Sequence, residues 1–440
     1  MSQEPRTAAV RIESMQQAIP NSVRARGRAR VMAAVGIFLL VCSVTLNAKD
    51  KKKNAATPAP QKQINPLDVL DYSKIVWPNP PAIARIKFTS QFFGEKRETK
   101  QQQQQKESWM DKLAGATAGN VPQSQKLYFQ LVQPYGVAVD SKGRIYIGDG
   151  KVRAIFIYNP ETKAVELIKN GVQARLHLLT GLAIDDADTL FVADSDLRHV
   201  LVFDKEHKVV AAISQGLLMP GGLAIDNENR FLYVADTGLD QVLVFDADPP
   251  YKFIRAIGSK SGKHDLTTPG DFSQPTNVAV DSEGNLYVSD TWNNRIQEFD
   301  ADGKFIRAFG KAGDGPGYFA RPKGIAVDSD GHVWVADSMQ DRVQVFTPEG
   351  QLLIYMGGHG LLPGQFSALT GLTIDKDNRV LTSEQYPGRV QIFRYVTDAE
   401  AKLEWQEREK NAAAKKAEPA AKETADKKPV DKPVETTQKQ

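Results

Sequence analysis

From residue 133 onward the chain alternates short apolar runs with polar turns. In one well-formed stretch Val278 and Val280, Leu286 and Val288, and Ile296 and Phe299 lie between turns rich in Asp, Gly, Asn and Ser. Alternation with period two marks half-buried strands, and runs this short are strands rather than helices. The same pattern returns at intervals of about 40 to 50 residues, a spacing that belongs to solenoids and propellers. Its openings read QPYGVAVDSKGRIYIGD from 133, LTGLAIDDADTLFVAD from 179, MPGGLAIDNENRFLYVAD from 219, QPTNVAVDSEGNLYVSD from 274, RPKGIAVDSDGHVWVAD from 321 and LTGLTIDKDNRVLTSE from 369. Each continues into a second pair of strands, as in NNRIQEFDADGKFIRAFG from 293 and DRVQVFTPEGQLLIYMG from 341.

Four short strands per copy predict an antiparallel meander. The opening strand of most copies carries small residues, Gly136 with Ala138, Gly181 with Ala183, Gly222 with Ala224 and Gly324 with Ala326. Small side chains suit an innermost strand crowded around an axis, as in a propeller blade. The expectation is an all-β, six-bladed β-propeller. The pattern P-x-G-[VIL]-A-[VI]-D, then G-x-[LIV]-[YW]-V-[AS]-D, then N-[RH]-[VI]-x-x-F, resembles the NHL repeat. The stretch KIVWPNPPAIARIKF from 74 resembles the lead-in of exported bacterial NHL-repeat proteins. Blades 4 and 5 fit best, through Asp281, Asp290, Asn294 and Arg295, and through Asp328, Asp337, Asp341 and Arg342. Blade 1 departs with Arg153 and Ala154, blade 3 with Asp240 and Gln241, and blade 6 with Glu384 in place of the second Asp.

Six openings follow residue 133 but only five fourth strands, because the last copy turns polar after Tyr395. Residues 83–93, IARIKFTSQFF, look like the fourth strands FIRAIG and FIRAFG and stand alone before the first copy. They are expected to close the ring, removing two exposed sheet edges. The propeller then spans 83–398, with an insertion at 94–132 that holds a glutamine run and Trp109, Met110 and Leu113.

The remaining segments bear on location. Residues 1–30 form a basic region ending in RARGRAR, and 31–48 are apolar, the pattern of a signal peptide or signal anchor. Sixteen helical residues span about 24 Å, less than the roughly 30 Å of a bilayer core. Arginines before the apolar run hold the N-terminus inside, so the expected location is extracytoplasmic, tethered to the membrane through 31–48 or released from it. Residues 49–82, rich in Lys, Ala, Pro and Gln, read as a flexible tether, and 399–440 as a thinly amphipathic helix followed by a disordered charged tail. A net charge of +3 offers no field for nucleic acid. Cys42, the single cysteine, lies in the apolar segment and rules out a disulfide framework.

Chemistry is sparse. No G-x-S-x-G, H-E-x-x-H or Walker loop occurs, and GKAGDGPGYF at 310–319 lacks the following helix and lysine of a phosphate cradle. The resemblance to propeller lactonases and amidating lyases implies a metal held by carboxylates, Asn or His on several inner strands. None of His177, His199, His207, His264, His332 and His359 stands in an opening strand, and His207, His264 and His332 are expected in solvated turns. Asp140, Asp185, Asp226, Asp281, Asp328 and Asp375 recur before turns and are expected to cap them. Asp290 and Asp337 stand five residues before Arg295 and Arg342 and are expected to pair with them. Six like residues in six blades point to structure, because catalysis needs unlike groups in unlike environments. No catalytic residue, metal or cofactor is therefore assigned.

In such a meander the loops between strands two and three share one face with the loops between blades. That face would gather Trp292, Asn293, Arg295, Met339, Gln340, Arg342, His359, Phe366, Tyr386 and Arg389. Aromatic, Met and Arg side chains are those enriched at interfaces. The reading is a scaffold that binds a protein or a small extracytoplasmic ligand, with a metal-dependent hydrolase or lyase as the alternative.

Overall fold

The computed structural model describes residues 70–95, 129–259 and 266–425, with side chains of the last helix described to residue 412. The basic and apolar segments and most of the tether over 1–69, most of the insertion including Trp109, Met110 and Leu113, His264, and the charged tail over 426–440 lie outside the described residues.

Six antiparallel sheets stand in a ring. Blade 1 runs through Pro134–Val139, Ile145–Asp149, Ala154–Tyr158 and Val165–Lys169, and blade 2 through Leu179–Ile184, Leu190–Asp194, His199–Phe203 and Val209–Ile213. Blade 3 follows with Pro220–Asp226, Phe231–Asp236, Gln241–Asp246 and Phe253–Ile257, and blade 4 with Pro275–Val280, Leu286–Asp290, Arg295–Phe299 and Phe305–Phe309. Blade 5 comprises Pro322–Val327, Val333–Asp337, Arg342–Phe346 and Leu352–Gly357. Blade 6 has Leu369–Ile374, Arg379–Glu384 and Arg389–Tyr395 from the C-terminal end and takes its fourth strand, Ile86–Phe92, from the N-terminal side. Ile86 pairs with Tyr395 and Phe92 with Val390, so the ring is closed by hydrogen bonds between the two ends of the domain.

The opening strands approach one another so closely that a side chain cannot intervene. A Cβ on Gly136 would press on the backbone of Leu182, and one on Gly371 would strike the carbonyl of Tyr135, the contact between blades 6 and 1. Bulkier residues lie further out, between blades. Phe203, Leu190 and Leu179 of blade 2 pack with Ile155 and Ile168 of blade 1, while Phe393 and Val380 of blade 6 pack with Trp334 and Met356 of blade 5. Each apolar cluster is thus shared by two neighbouring blades, and the molecule is held by nearest-neighbour interfaces around the ring.

One sequence expectation needs correction. Residues 70–82, read as flexible tether, are instead packed on blade 6. A short 3-10 turn at Tyr72–Lys74 leads to the strand Val76–Trp77, which extends the sheet beyond Ile86–Phe92. Tyr72 meets Phe88 edge-on at 5.1 Å and Trp77 meets Phe393 at 5.9 Å, so aromatic burial holds this segment down. The C-terminal helix α1, Asp398–Ala425, is tied to the propeller at its start. Asp398 pairs with Arg85, Glu400 with Arg394 at 2.8 Å, and Arg408 donates to the carbonyl of Pro81 at 3.1 Å. Its Leu403 and Trp405 remain exposed. Among the described residues no helix is long and apolar enough to cross a membrane.

Candidate functional site

The recurring carboxylates come first, because they position everything else. Each Asp that ends an opening strand accepts two backbone N–H groups of its own turn: Asp140 from Lys142 and Arg144, Asp185 from Ala187 and Thr189, Asp226 from Glu228 and Asn229. Asp281, Asp328 and Asp375 do the same in blades 4 to 6. The second set is fully buried and reaches backward to the loop that leads into its own blade. Asp149 accepts from Val132 and Gln133, Asp194 from His177 and Leu178, Asp236 from Leu218 and Met219, and Asp337 from Ala320 and Arg321. Asp290 and Glu384 take one such N–H each, from Ser273 and Ser367.

Arg295 does pair with Asp290 at 2.8 Å, and Arg389 with Glu384 at 2.8 Å. The expected partnership of Arg342 with Asp337 does not form. Asp337 is occupied by backbone, and the Arg342 guanidinium lies 5.5 Å from the centre of the Tyr355 ring. Gln297, Gln344 and Gln391, two residues after the arginines, are buried and hold the inter-blade loops through Gly270, Gly317 and Gly364. Their signal, R-[IV]-Q in three blades, was readable but unread.

The innermost strands enclose a cavity of about 540 Å³ along the axis. Val139, Ile184, Ile225, Val280, Val327 and Ile374 form an apolar ring in its wall. At its rim charges are consumed by their neighbours: Arg144 by Asp140 at 2.6 Å, Arg379 by Asp375 at 2.5 Å, and Lys376 by the carbonyl of Ser141 at 3.1 Å. Of the donor types a channel metal would need, Asn277 alone lines the cavity from within a strand, and Asp140, Asp185 and Asp375 at the strand ends cap their own turns. The residues present do not fit a channel metal centre, and among the described residues no cluster of three or more His, Cys, Asp or Glu side chains is arranged to hold one. Nor are His207 and His332 the solvated turn residues expected: His207 meets the Tyr146 hydroxyl at 2.9 Å, and His332 meets Asp328 and the Tyr395 hydroxyl, each at 3.1 Å. The hydrogen bond to Asp328 raises the His332 pKa against the opposing effect of burial.

The loop face proposed from sequence divides into two groups. Phe366 is wholly buried beneath Gly357, and Arg389 and Arg295 are buried in their ion pairs, so these three do not belong to a contact surface. The misassignment came from treating loop and strand-end residues as outward-pointing when the inter-blade loops fold over them. Asn293 ties Asp290 to the carbonyl of Asp271, and Gln340 ties blade 5 to the carbonyl of Gly313. Trp292, Met339 and Tyr386 are 52%, 65% and 61% exposed, and His359 stands outward on Asp341 at 2.7 Å. Around them the same face exposes Val132, Val172, Met219, Leu266, Leu361 and Leu362, all from loops. Among the described residues, the turns at the opposite end expose no large apolar side chain, although Val209 and Phe253 beside them and Leu403 and Trp405 of α1 are exposed.

Two residues on this face were missed. Arg321 lays its guanidinium 4.3 Å from the Trp292 ring centre, and Lys323 follows in the innermost strand of blade 5. Burial, with the nearby charge of Arg321, lowers the Lys323 pKa. The signal was a lysine inside an opening strand, RPKGIAVD, where the other copies have Tyr, Thr or Gly.

Six four-stranded blades closed by an N-terminal strand define a β-propeller. Its repeats are similar to those of the NHL type. The family model described as the SMP-30/Gluconolactonase/LRE-like region matches residues 192–310 and 283–356. Protein brain tumor of Drosophila melanogaster is 46% identical over 44 residues, which is 10% of this chain and 4% of that protein. Among solved structures, a gluconolactonase from Xanthomonas campestris is 19% identical over 61% of this chain and 89% of its own, with a TM-score of 0.46. Virginiamycin B lyase from Staphylococcus aureus is 14% identical over 60% of this chain and 96% of its own, with a TM-score of 0.45. At these identities and scores the likeness carries no argument about activity.

Proposed function

We propose that this propeller is a binding scaffold that engages a protein partner through the face bearing Trp292, Met339 and Tyr386. The observation that carries the reading is a difference between loops: large apolar side chains are exposed on the loops of one face and not in the turns of the other, where the exposed ones belong to the strand starts Val209 and Phe253 and to Leu403 and Trp405 of α1. Exposed apolar patches mark interaction surfaces, and aromatic and methionine side chains contribute most where they are desolvated by a partner. The test places a photo-crosslinking residue at 339 on this face or at 283 on the opposite one. A defined partner captured from 339 and not from 283 supports the reading; equal capture from both, or capture from 283 alone, overturns it.

The basic and apolar segments at 1–48 support the further proposal that the propeller works outside the cytoplasm, held at or released from the membrane. Protease added outside spheroplasts is expected to degrade the propeller, and full protection in intact spheroplasts would refute this placement. A second reading, a channel-centred hydrolase or lyase, is favoured by the match to the SMP-30/Gluconolactonase/LRE-like model over 192–356. The apolar channel wall and the self-paired charges at its rim weigh against it. Metal content of the purified protein after mild dialysis separates the two: about one equivalent of a divalent ion per chain would favour the enzyme.

A further inference from the structure

The second position of the six innermost strands reads Tyr135, Thr180, Gly221, Thr276, Lys323 and Thr370. An innermost strand is covered along one edge by its own blade and on its faces by its neighbours. The solvent exposure it keeps at this position, the start of the strand, is therefore on the loop face. Lys323 is only partly exposed, and among the described residues no carboxylate or carbonyl receives its ammonium. Arg321, two residues earlier, has the Trp292 ring as its guanidinium's contact and, among the described residues, no ion pair. The nearby carboxylates are already spent. Asp337 accepts the backbone N–H groups of Ala320 and Arg321, and Asp290 serves Ser273, Asn293, Arg295 and Gln297.

A half-buried cation without a counter-charge is unfavourable, and a second cation beside it makes it more so. At the equivalent positions Thr180, Thr276 and Thr370 hydrogen-bond within and between blades, through Pro220, Thr291 and Pro134 among others, whereas among the described residues the lysine ammonium makes no such bond. An anion supplied from outside would offset both charges. A guanidinium lying flat on an indole keeps its N–H groups in plane and available at its edge, the geometry that suits a planar carboxylate. We propose that the loop face at blade 5 receives a single carboxylate of the partner, held by Lys323 and Arg321 against the wall formed by Trp292. The inference rests on the reading of this face as the binding face.

The test uses the full chain, at constant ionic strength, with propionate, its neutral isostere propionamide and inorganic phosphate as probes. Propionate is expected to change tryptophan emission saturably, the change disappearing in Trp292→Phe. In Lys323→Met the apparent affinity should fall about tenfold or more, as expected on losing a charged hydrogen bond, while Lys323→Arg keeps most of it. Lys323→Met should melt at or above the parent, because an uncompensated cation has been removed. Equal responses to propionate and propionamide, tighter binding of phosphate than of propionate, or a Lys323→Met variant that melts well below the parent would each overturn the proposal. Photo-crosslinking from residue 339 separates the two levels of inference. If Lys323→Met captures the partner as well as the parent does, the carboxylate receptor is wrong and the binding face stands. If the parent itself captures nothing from 339, the face is wrong.

Discussion

Asp328 shows how much a single carboxylate can hold together. One oxygen caps its own turn through Asp330 and His332, and the other accepts the Trp334 indole N–H at 2.8 Å and faces the His332 ring. The Tyr395 hydroxyl meets the same imidazole and donates to Asp330 at 2.8 Å, and Asp330 in turn receives the first N–H of α1. His332 therefore links blade 5 to blade 6 and to the helix, and its protonation is a stability term. Its folded pKa is raised above the ordinary value of 6.5, so the contribution is complete below that value and is lost as pH rises through the folded one. The stability difference between the parent and His332→Gln is expected to shrink from pH 6 to pH 8 in urea melts at fixed temperature. A difference that stays constant, or grows with pH, would contradict the assignment. The turn-capping aspartates were legible in sequence because capping is local chemistry, settled within four residues. The partners of His332 were not, since Tyr395 is brought to it only by the ring.

At the scale of the element, the strand Ile86–Phe92 was legible as a missing fourth strand, by counting openings against closings. Ile86, Phe88 and Phe92 are buried between blades, Phe88 against Phe393 and Phe92 stacked on Tyr158 at 4.3 Å. Burying three such side chains stabilises by roughly 5–9 kcal/mol. That equals a large part of the about 5–15 kcal/mol that holds a typical domain together. A chain beginning at residue 70 should melt cooperatively like the full chain, whereas one beginning at residue 129 should lose the cooperative transition or aggregate through the uncovered edge of Arg389–Tyr395. Equal thermal midpoints for the two would show that closure contributes little. The short strand Val76–Trp77 escaped notice because its lysine- and proline-rich surroundings read as linker. Its order comes from Trp77 and Tyr72 meeting a surface that exists only once blade 6 is complete.

For the molecule as a whole, the repeats specify a ring with two unlike ends, and the difference lies in what does not repeat. Trp292, Met339 and Tyr386 occupy equivalent loops of successive blades with unrelated residue types, while the carboxylates beneath them recur. Repetition could be read directly from the sequence. Exposure could not: Phe366 and Arg389 looked as available as Tyr386, and only the folding of residues 358–368 over the end of blade 6 buries them. A paired experiment follows. Replacing Trp292, Met339 and Tyr386 together by alanine removes side chains that contribute little to the folded state, so the thermal midpoint should hold nearly at the parent value. Partner affinity should drop by about 2 kcal/mol or more, the loss typical of a desolvated aromatic anchor. Replacing the exposed Glu283, Asp302 and Asp377 of the opposite end by serine should change neither quantity appreciably. The two triple variants alter the same number of surface residues and differ in the face they touch. If the alanine variant melts far below the parent, those side chains belong to the core. If instead the serine variant is the one that loses the partner, binding takes place at the end of the propeller that the apolar loops leave bare.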